Sequence, residues 1–292
     1  MRQTTGNILV VAALVLAGIV ILSYLSSTDA ELSRYNNGWN GTTSFYDQLE
    51  RSGSTAITSY PDLRRAPPDT LILVEPHDLH SDEDKDSIRQ FVRNGGTLIV
   101  IAKNELANSI LETAGSTIRI QDSALSSMDM EYDDPGMVIA YKAQEHNLLE
   151  DVESIALNQP STLTGGEALL ETSSISWIDI NNNGIADGAE KLGKETVMAH
   201  EIIDKGEIIV LADSGILINS MDFTVSERDN TQLRTNIVTS STPSYDTVTS
   251  QPFMAEGILQ AVTGAKSTTV IKILAILLIT GIICAAYARK IL

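Results

Sequence analysis

The sequence predicts an α/β fold: an open, mainly parallel sheet flanked by helices, with one transmembrane helix at each end of the chain. Three observations predict it. Two apolar runs, the uncharged 8–25 and 268–288 with only Lys272 near its start, stand at the ends. Short continuous apolar runs of strand length (Thr70–Val74, Thr97–Ala102, Glu207–Ala212) punctuate the middle. Between the first two lies a helix-length amphipathic segment with start and stop signals. Strand, helix, strand, helix in succession implies right-handed crossovers and a parallel sheet covered by helices.

From the N-terminus, residues 1–7 are read as cytoplasmic and Ile8–Leu25 as the first span, just long enough to cross the hydrocarbon core. Arg2 precedes it and Asp29 and Glu31 follow, so the positive-inside rule places the N-terminus in the cytoplasm. The competing reading is a signal peptide cut after Ala30. The main domain is expected over 26–238, outside the cytoplasm. Ser44–Arg51 reads as a helix stopped before Gly53, Thr55–Tyr60 as a β-branched strand, and Asp62–Pro68 as a turn. Thr70–Val74 (TLILV) reads as a strand buried on both faces. Ser81 with Asp84 forms a capping-box signal opening the helix SDEDKDSIRQFVRN, with Ile88, Phe91 and Val92 as its stripe and Gly95-Gly96 as its stop. Thr97–Ala102 is the next buried strand and Glu105–Thr113 the next helix. Beyond them, Asp133–Gly136 reads as a turn, Met137–Tyr141 and Leu169–Ile180 as strands, Glu207–Ala212 as a buried parallel strand, and Asp229–Val238 as a closing helix.

Residues 239–267 read as a Ser/Thr/Pro-rich linker followed by an amphipathic helix from Phe253 to Val262. The second span, 268–288, leads to a cytoplasmic C-terminus, 289–292, carrying Arg289 and Lys290. The chain is therefore expected to be a two-pass protein of the cell membrane, both termini cytoplasmic and the main domain extracytoplasmic.

The net charge is −18, and apart from Arg2, Lys272, Arg289 and Lys290 the middle opposes 16 bases to 38 acids. Such a surface repels nucleic acid and anionic head groups. The single cysteine, Cys284, lies in the second apolar run, so neither a disulfide framework nor a thiol nucleophile is available to the middle of the chain.

Several motifs in order resemble a known family. LILVEP, a helix, FVRNGGTLIVIA and an Asn-containing helix are similar to the glutamine-amidotransferase-like fold, itself close to flavodoxin-like topology. With the late pattern Lys205-Gly206-Glu207-Ile208-Ile209-Val210-Leu211-Ala212-Asp213, then Asn219, then Asp229-Asn230, they resemble domain of unknown function 4350 over roughly residues 33–238. Ala212 departs from that pattern, where glycine is expected. The resemblance implies a membrane-anchored domain without settled activity. In the amidotransferase fold a nucleophile sits on the turn after a strand like TLIVIA. Here that turn is Ala102-Lys103-Asn104-Glu105, and no Gly-x-Cys-x-Gly or Gly-x-Ser-x-Gly occurs. No acyl-transfer enzyme is expected.

Candidate ligand-binding residues are His77 and His80, after the strand ending at Val74, and Asp213, Asn219, Asp229 and Asn230 in the late pattern. Carboxyl ends of parallel strands are where ligands bind in open α/β sheets. Loop capping by these short polar side chains is the alternative. The sharpest motif is Asp179-Ile-Asn181-Asn-Asn183-Gly184-Ile185-Ala-Asp187-Gly-Ala-Glu190, which fits D-x-[DN]-x-[DN]-G-x5-E. Asp179, Asn181, Asn183, Asp187 and Glu190 would offer side-chain oxygens and Ile185 its carbonyl to a structural calcium ion. Its affinity would be weak, ~10⁻⁴–10⁻³ M. The preceding residues are strand-like, so the loop is expected to hang from a strand, unlike an EF-hand. Asn40-Gly41-Thr42 is a glycosylation sequon. Three functions stay open: a non-catalytic domain binding a partner protein or small ligand as an accessory of an envelope or transport assembly, a metal-assisted surface hydrolase using His77, His80 and nearby carboxylates, and an architectural envelope protein.

Overall fold

The structure is a computed structural model that describes residues 27–254 apart from 80, 130 and 242. Helix α1 (Thr43–Arg51) buries Phe45, Tyr46 and Leu49, the i, i+1, i+4 stripe of one helix face. Strand β1 (Thr55–Ile57) and a 3₁₀ turn (Tyr60–Arg64) lead to β2 (Thr70–Val74), whose five residues are all buried. Helix α2 (Asp82–Arg93) opens as expected: the Ser81 hydroxyl accepts from the Asp84 backbone N–H at 3.1 Å. It buries Ile88, Phe91 and Val92. Then come β3 (Thr97–Ile101), a 3₁₀ turn (Glu105–Ala107) and α3 (Asn108–Ala114), closed by Gly115 in the left-handed region.

Seven strands follow: β4 (Arg119–Ile120), β5 (Leu125–Ser127), β6 (Met137–Lys142), β7 (Ser154–Asn158), β8 (Leu163–Thr164), β9 (Glu167–Thr172) and β10 (Ser176–Ile178). The hairpin β11 (Thr196–Ile203) and β12 (Gly206–Leu211) precedes α4 (Met221–Thr224), α5 (Asn230–Thr239) and β13 (Ser244–Asp246).

Nine strands form one sheet in the order β1-β13-β2-β3-β12-β11-β9-β6-β7. The first five are parallel to one another, and from β12 through β7 every pairing is antiparallel. The expected mainly parallel, helix-flanked sheet is thus corrected to a mixed sheet with few helices among the described residues, the longest of these having twelve residues. The physical reason is connection length. Ile203 pairs with Gly206, so only Asp204 and Lys205 join β11 to β12. Two residues can make a hairpin but cannot make a parallel crossover. The segment 239–252, read as a linker, contributes β13, an inner strand between β1 and β2.

Alternation along the strands divides two cores. Ile72, Val74, Ile99, Ile101, Ile209 and Leu211 face one with α1 and α5; Leu71, Leu73, Leu98, Val100, Ile208 and Val210 face the other with α2 and α3. The small sheets β5–β10 and β4–β8 add Leu125 to the first and Ile120 and Leu163 to the second.

The expected two-pass membrane topology is also corrected. Among the described residues no helix is long and apolar enough to cross a membrane. The segments 8–25 and 268–288, on which that expectation rested, lie outside the described residues, as does most of the expected helix Phe253–Val262.

Candidate functional site

The carboxyl ends of β2 and β3 open onto a cleft of about 780 Å³. Among the described residues its lining includes Glu31, Glu75, Glu105, Asp122 and Asp179 against a single base, Lys103. Glu75 directly follows β2 and adopts φ +43°, a left-handed conformation that costs a non-glycine residue of order 1 kcal/mol or more. What holds it there is its own side chain: Oε1 accepts from the Lys103 backbone N–H at 2.8 Å and from the Ser214 hydroxyl at 2.6 Å. The Glu75 backbone N–H continues the sheet by donating to the Ile101 carbonyl. One carboxylate thereby ties together the ends of β2, β3 and β12.

Behind this floor lies Asp213, fully buried and outside the cleft lining. Its oxygens accept from the backbone N–H groups of Asn158 and Gly215, both at 2.7 Å. Burial pushes its carboxyl up to about 7; the two backbone bonds and the Lys103 charge pull it down, and the Glu75 charge adds to the rise.

The other predicted ligand residues are engaged by backbone. Asn219 accepts from the Ser44 backbone N–H and donates to the carbonyls of Asn36 and Gly38. Asp229 accepts from the N–H groups of Glu153 and Ser154. Asn230 accepts from the Ala156 N–H and donates to its carbonyl, imitating a neighbouring strand. His77 rests against the Thr249 carbonyl, and His80 lies outside the described residues. Asn40, of the sequon, accepts from the Asn36 amide. The late pattern therefore fastens β7 and the segment before α1, and only Asp213 adjoins the cleft floor.

The calcium-type loop hangs from β10, as its strand-like approach predicts, and Asp179 with Ile180 and Asn182 forms part of the cleft wall. Asp179 accepts from the N–H groups of Asn183 and Gly184, Asn181 from Asn183, and Asn183 from Ile185. Glu190 closes the loop, its two oxygens accepting from Ile180 and Asp187. Asp187 also receives the Asn181 side-chain amide. The side-chain oxygens thus share one tight turn, each with lone-pair capacity beyond the bonds it accepts.

Two features escaped sequence reading. Asp246, fully buried at the end of β13, accepts five hydrogen bonds from Val248, Thr249 and Ser250. Ser250 in turn accepts from the Val74 N–H, which steadies the approach to Glu75. The signal was an Asp followed by hydroxyl residues in a stretch whose composition suggested a linker. The second is the convergence of His146, His200 and Glu207, the one group of three or more His, Cys, Asp or Glu ligand atoms that comes together among the described residues. His77 is not part of such a group.

A mixed α/β sheet with a polar cleft at the ends of its parallel strands defines the class of domain. Within that class, the chain belongs to the family designated domain of unknown function DUF4350, whose model matches residues 34–238. No curated protein matches the sequence. Among solved structures, the mmIFT52 N-terminal domain is similar with a TM-score of 0.52 at 14% identity, over 69% of this chain and 90% of that one. A cytoplasmic protein from Salmonella typhimurium LT2 follows at TM-score 0.44 and 14% identity, over 69% of this chain and 87% of that one. A beta-galactosidase from Bacillus circulans sp. alkalophilus gives 0.41 at 14% identity, with 63% of this chain matched to 26% of that one. At such identity the first likeness carries fold alone, and the other two carry no argument.

Proposed function

We propose that the chain is a non-catalytic accessory domain that binds a partner protein, the partner presenting a cationic segment to the acidic cleft. The observation that supports this reading most is the charge of the cleft: five carboxylates and one ammonium line it. Such walls raise the local concentration of cationic groups and speed their association. Among the described residues no His or Cys lines the cleft. The Ser161 hydroxyl donates to the Lys103 carbonyl and the Ser123 hydroxyl meets Thr162, so neither hydroxyl lies against a base. Asp213, whose carboxyl burial pushes up to about 7, is sealed beneath the floor. In this reading a calcium ion in the Asp179–Glu190 loop stiffens one wall of the cleft.

The test is fluorescence anisotropy of labelled oligolysine and oligoglutamate peptides against the full chain. Oligolysine should bind at low salt and weaken at least about tenfold in 0.5 M salt, while oligoglutamate should not bind. Reversing Glu105 and Asp122 to Lys should weaken oligolysine at least about tenfold, and the same reversal at Glu145, which does not line the cleft, should leave it within about twofold. Equal losses from the two reversals, or none from either, would reject the cleft as the binding surface.

A further inference from the structure

We propose that His146, His200 and Glu207 form a binding site for a borderline divalent transition-metal ion of the Zn²⁺ class, separate from the acidic cleft. The site is built by sheet register. In the β11–β12 hairpin Ile202 pairs with Glu207 and His200 with Ile209, so His200 and Glu207 lie diagonally on one face. Glu167 on β9 pairs directly with His200, placing a second carboxylate in the same row. His146 arrives from the loop after β6, immediately before the 3₁₀ turn Asn147–Leu149. Glu207 lies near the amino end of β12, about 13 Å along the strand from Leu211 and the cleft floor.

The contacts are those of a ligand set. His146 Nε2 is 3.0 Å and His200 Nδ1 is 2.6 Å from the same oxygen, Glu207 Oε1. The two rings meet edge to face at 5.2 Å. One ligand atom from each of the three residues falls within 4.8 Å of the others. Tetrahedral zinc with ligands at ~2.0–2.1 Å sets neighbouring ligand atoms roughly 3.3 Å apart, so the two His–Glu pairs must open by less than about 1 Å and the two ring nitrogens close by at most about 1.5 Å. Three protein ligands leave one position open to water.

The hydrogen-bond roles favour an ion at His200 and oppose one at His146. His146 Nδ1 accepts from the Leu148 N–H at 3.1 Å, so the proton of the neutral ring sits on Nε2 and points at Glu207. His200 likewise gives its Nδ1 proton to Glu207, which leaves Nε2 as a buried nitrogen without a hydrogen-bond partner. A metal ion taking the place of both N–H bridges moves each proton to the other ring nitrogen. The His200 proton then sits on Nε2 facing Glu167, forming the carboxylate–histidine–metal relay that orients metal-bound imidazole. The His146 proton moves to Nδ1, and the Leu148 N–H bond is given up. Both rings stay neutral, and no proton leaves the site. Imidazole with one carboxylate suits Zn²⁺ and its neighbours and is a poor match for Ca²⁺ or Mg²⁺.

The test is titration of the metal-stripped full chain with Zn²⁺ in competition with a chromophoric chelator, alongside melting with Zn²⁺ or Mg²⁺ present. One equivalent of Zn²⁺ should bind and raise the melting temperature by several degrees, while Mg²⁺ at the same concentration does not. His146→Gln and His200→Gln should each weaken Zn²⁺ at least about a hundredfold, whereas His77→Gln should not. Visible absorption of the wild-type chain loaded with Co²⁺, of the intensity of a four-coordinate ion, checks the site without any substitution. Absence of that absorption together with absence of stoichiometric Zn²⁺ binding overturns the proposal. So does Zn²⁺ affinity that survives both substitutions, or that is lost with His77→Gln.

Discussion

At the scale of single residues, the molecule spends its buried carboxylates on backbone. Asp213, Asp246 and Glu75 each answer N–H or hydroxyl donors that strand ends leave over. The cost shows in Asp213. Its folded-state pKa, about 7, lies above the ordinary 3.8, so between those values the folded chain holds a proton the unfolded chain has released. Its contribution is therefore most favourable below pH 4 and is lost as pH rises to about 7, a swing on the order of 4 kcal/mol. Glu201 runs the opposite way: burial raises its pKa, but bonds from Ser116 and Thr117 outweigh that and hold it low, so its stabilisation is lost on acidification. Comparing wild type with Asp213→Asn separates the two. Urea denaturation at pH 4.5 and pH 8 should show the stability of wild type relative to the variant falling with rising pH. A difference that is flat or rises with pH would refute the assignment.

At the scale of elements, the edge strand β7 shows what the Asp and Asn residues of the late pattern do. Its backbone N–H groups at Ser154, Ala156 and Asn158 receive Asp229, Asn230 and Asp213 in turn. A row of open strand donors invites pairing with another chain, and these side chains occupy it. Asn230→Ala frees both polar groups of Ala156 and should cost about 2 kcal/mol, measured by denaturant melting. Association that grows with protein concentration should accompany it, seen by light scattering. This role was not legible in sequence, because short Asp and Asn side chains look alike whether they meet a ligand or a backbone. Strands β2 and β3 and helix α2 were legible: continuous apolar runs, a serine cap and a glycine stop all agreed. Strands β7, β11 and β13 were not, since they are short or carry His, Glu, Ser and Asp among their apolar residues. Missing β11 is what made the sheet look mainly parallel, and it hid the diagonal that brings His200 to Glu207.

At the scale of the whole molecule, charge and topology act together. The acidic chain gathers five of its carboxylates around one cleft, and the Asp179–Glu190 loop forms part of that wall. If the loop takes calcium, melting of the full chain should shift upward at millimolar Ca²⁺, and Asp179→Ala should abolish the shift. An unchanged melting temperature in wild type, or an equal shift in the variant, would remove calcium from the account. The loop was fully legible as a pattern, but its position on the cleft was not, because that depends on where β10 packs. The placement of β13 has a consequence of its own. Strand β1, near the start of the domain, pairs only with β13, and β13 separates it from β2. During synthesis β1 must therefore wait, unpaired, until nearly two hundred further residues have left the ribosome. The family match stops at residue 238, short of that last strand. A gene fragment trimmed to the family's limits would encode a sheet with a gap in it.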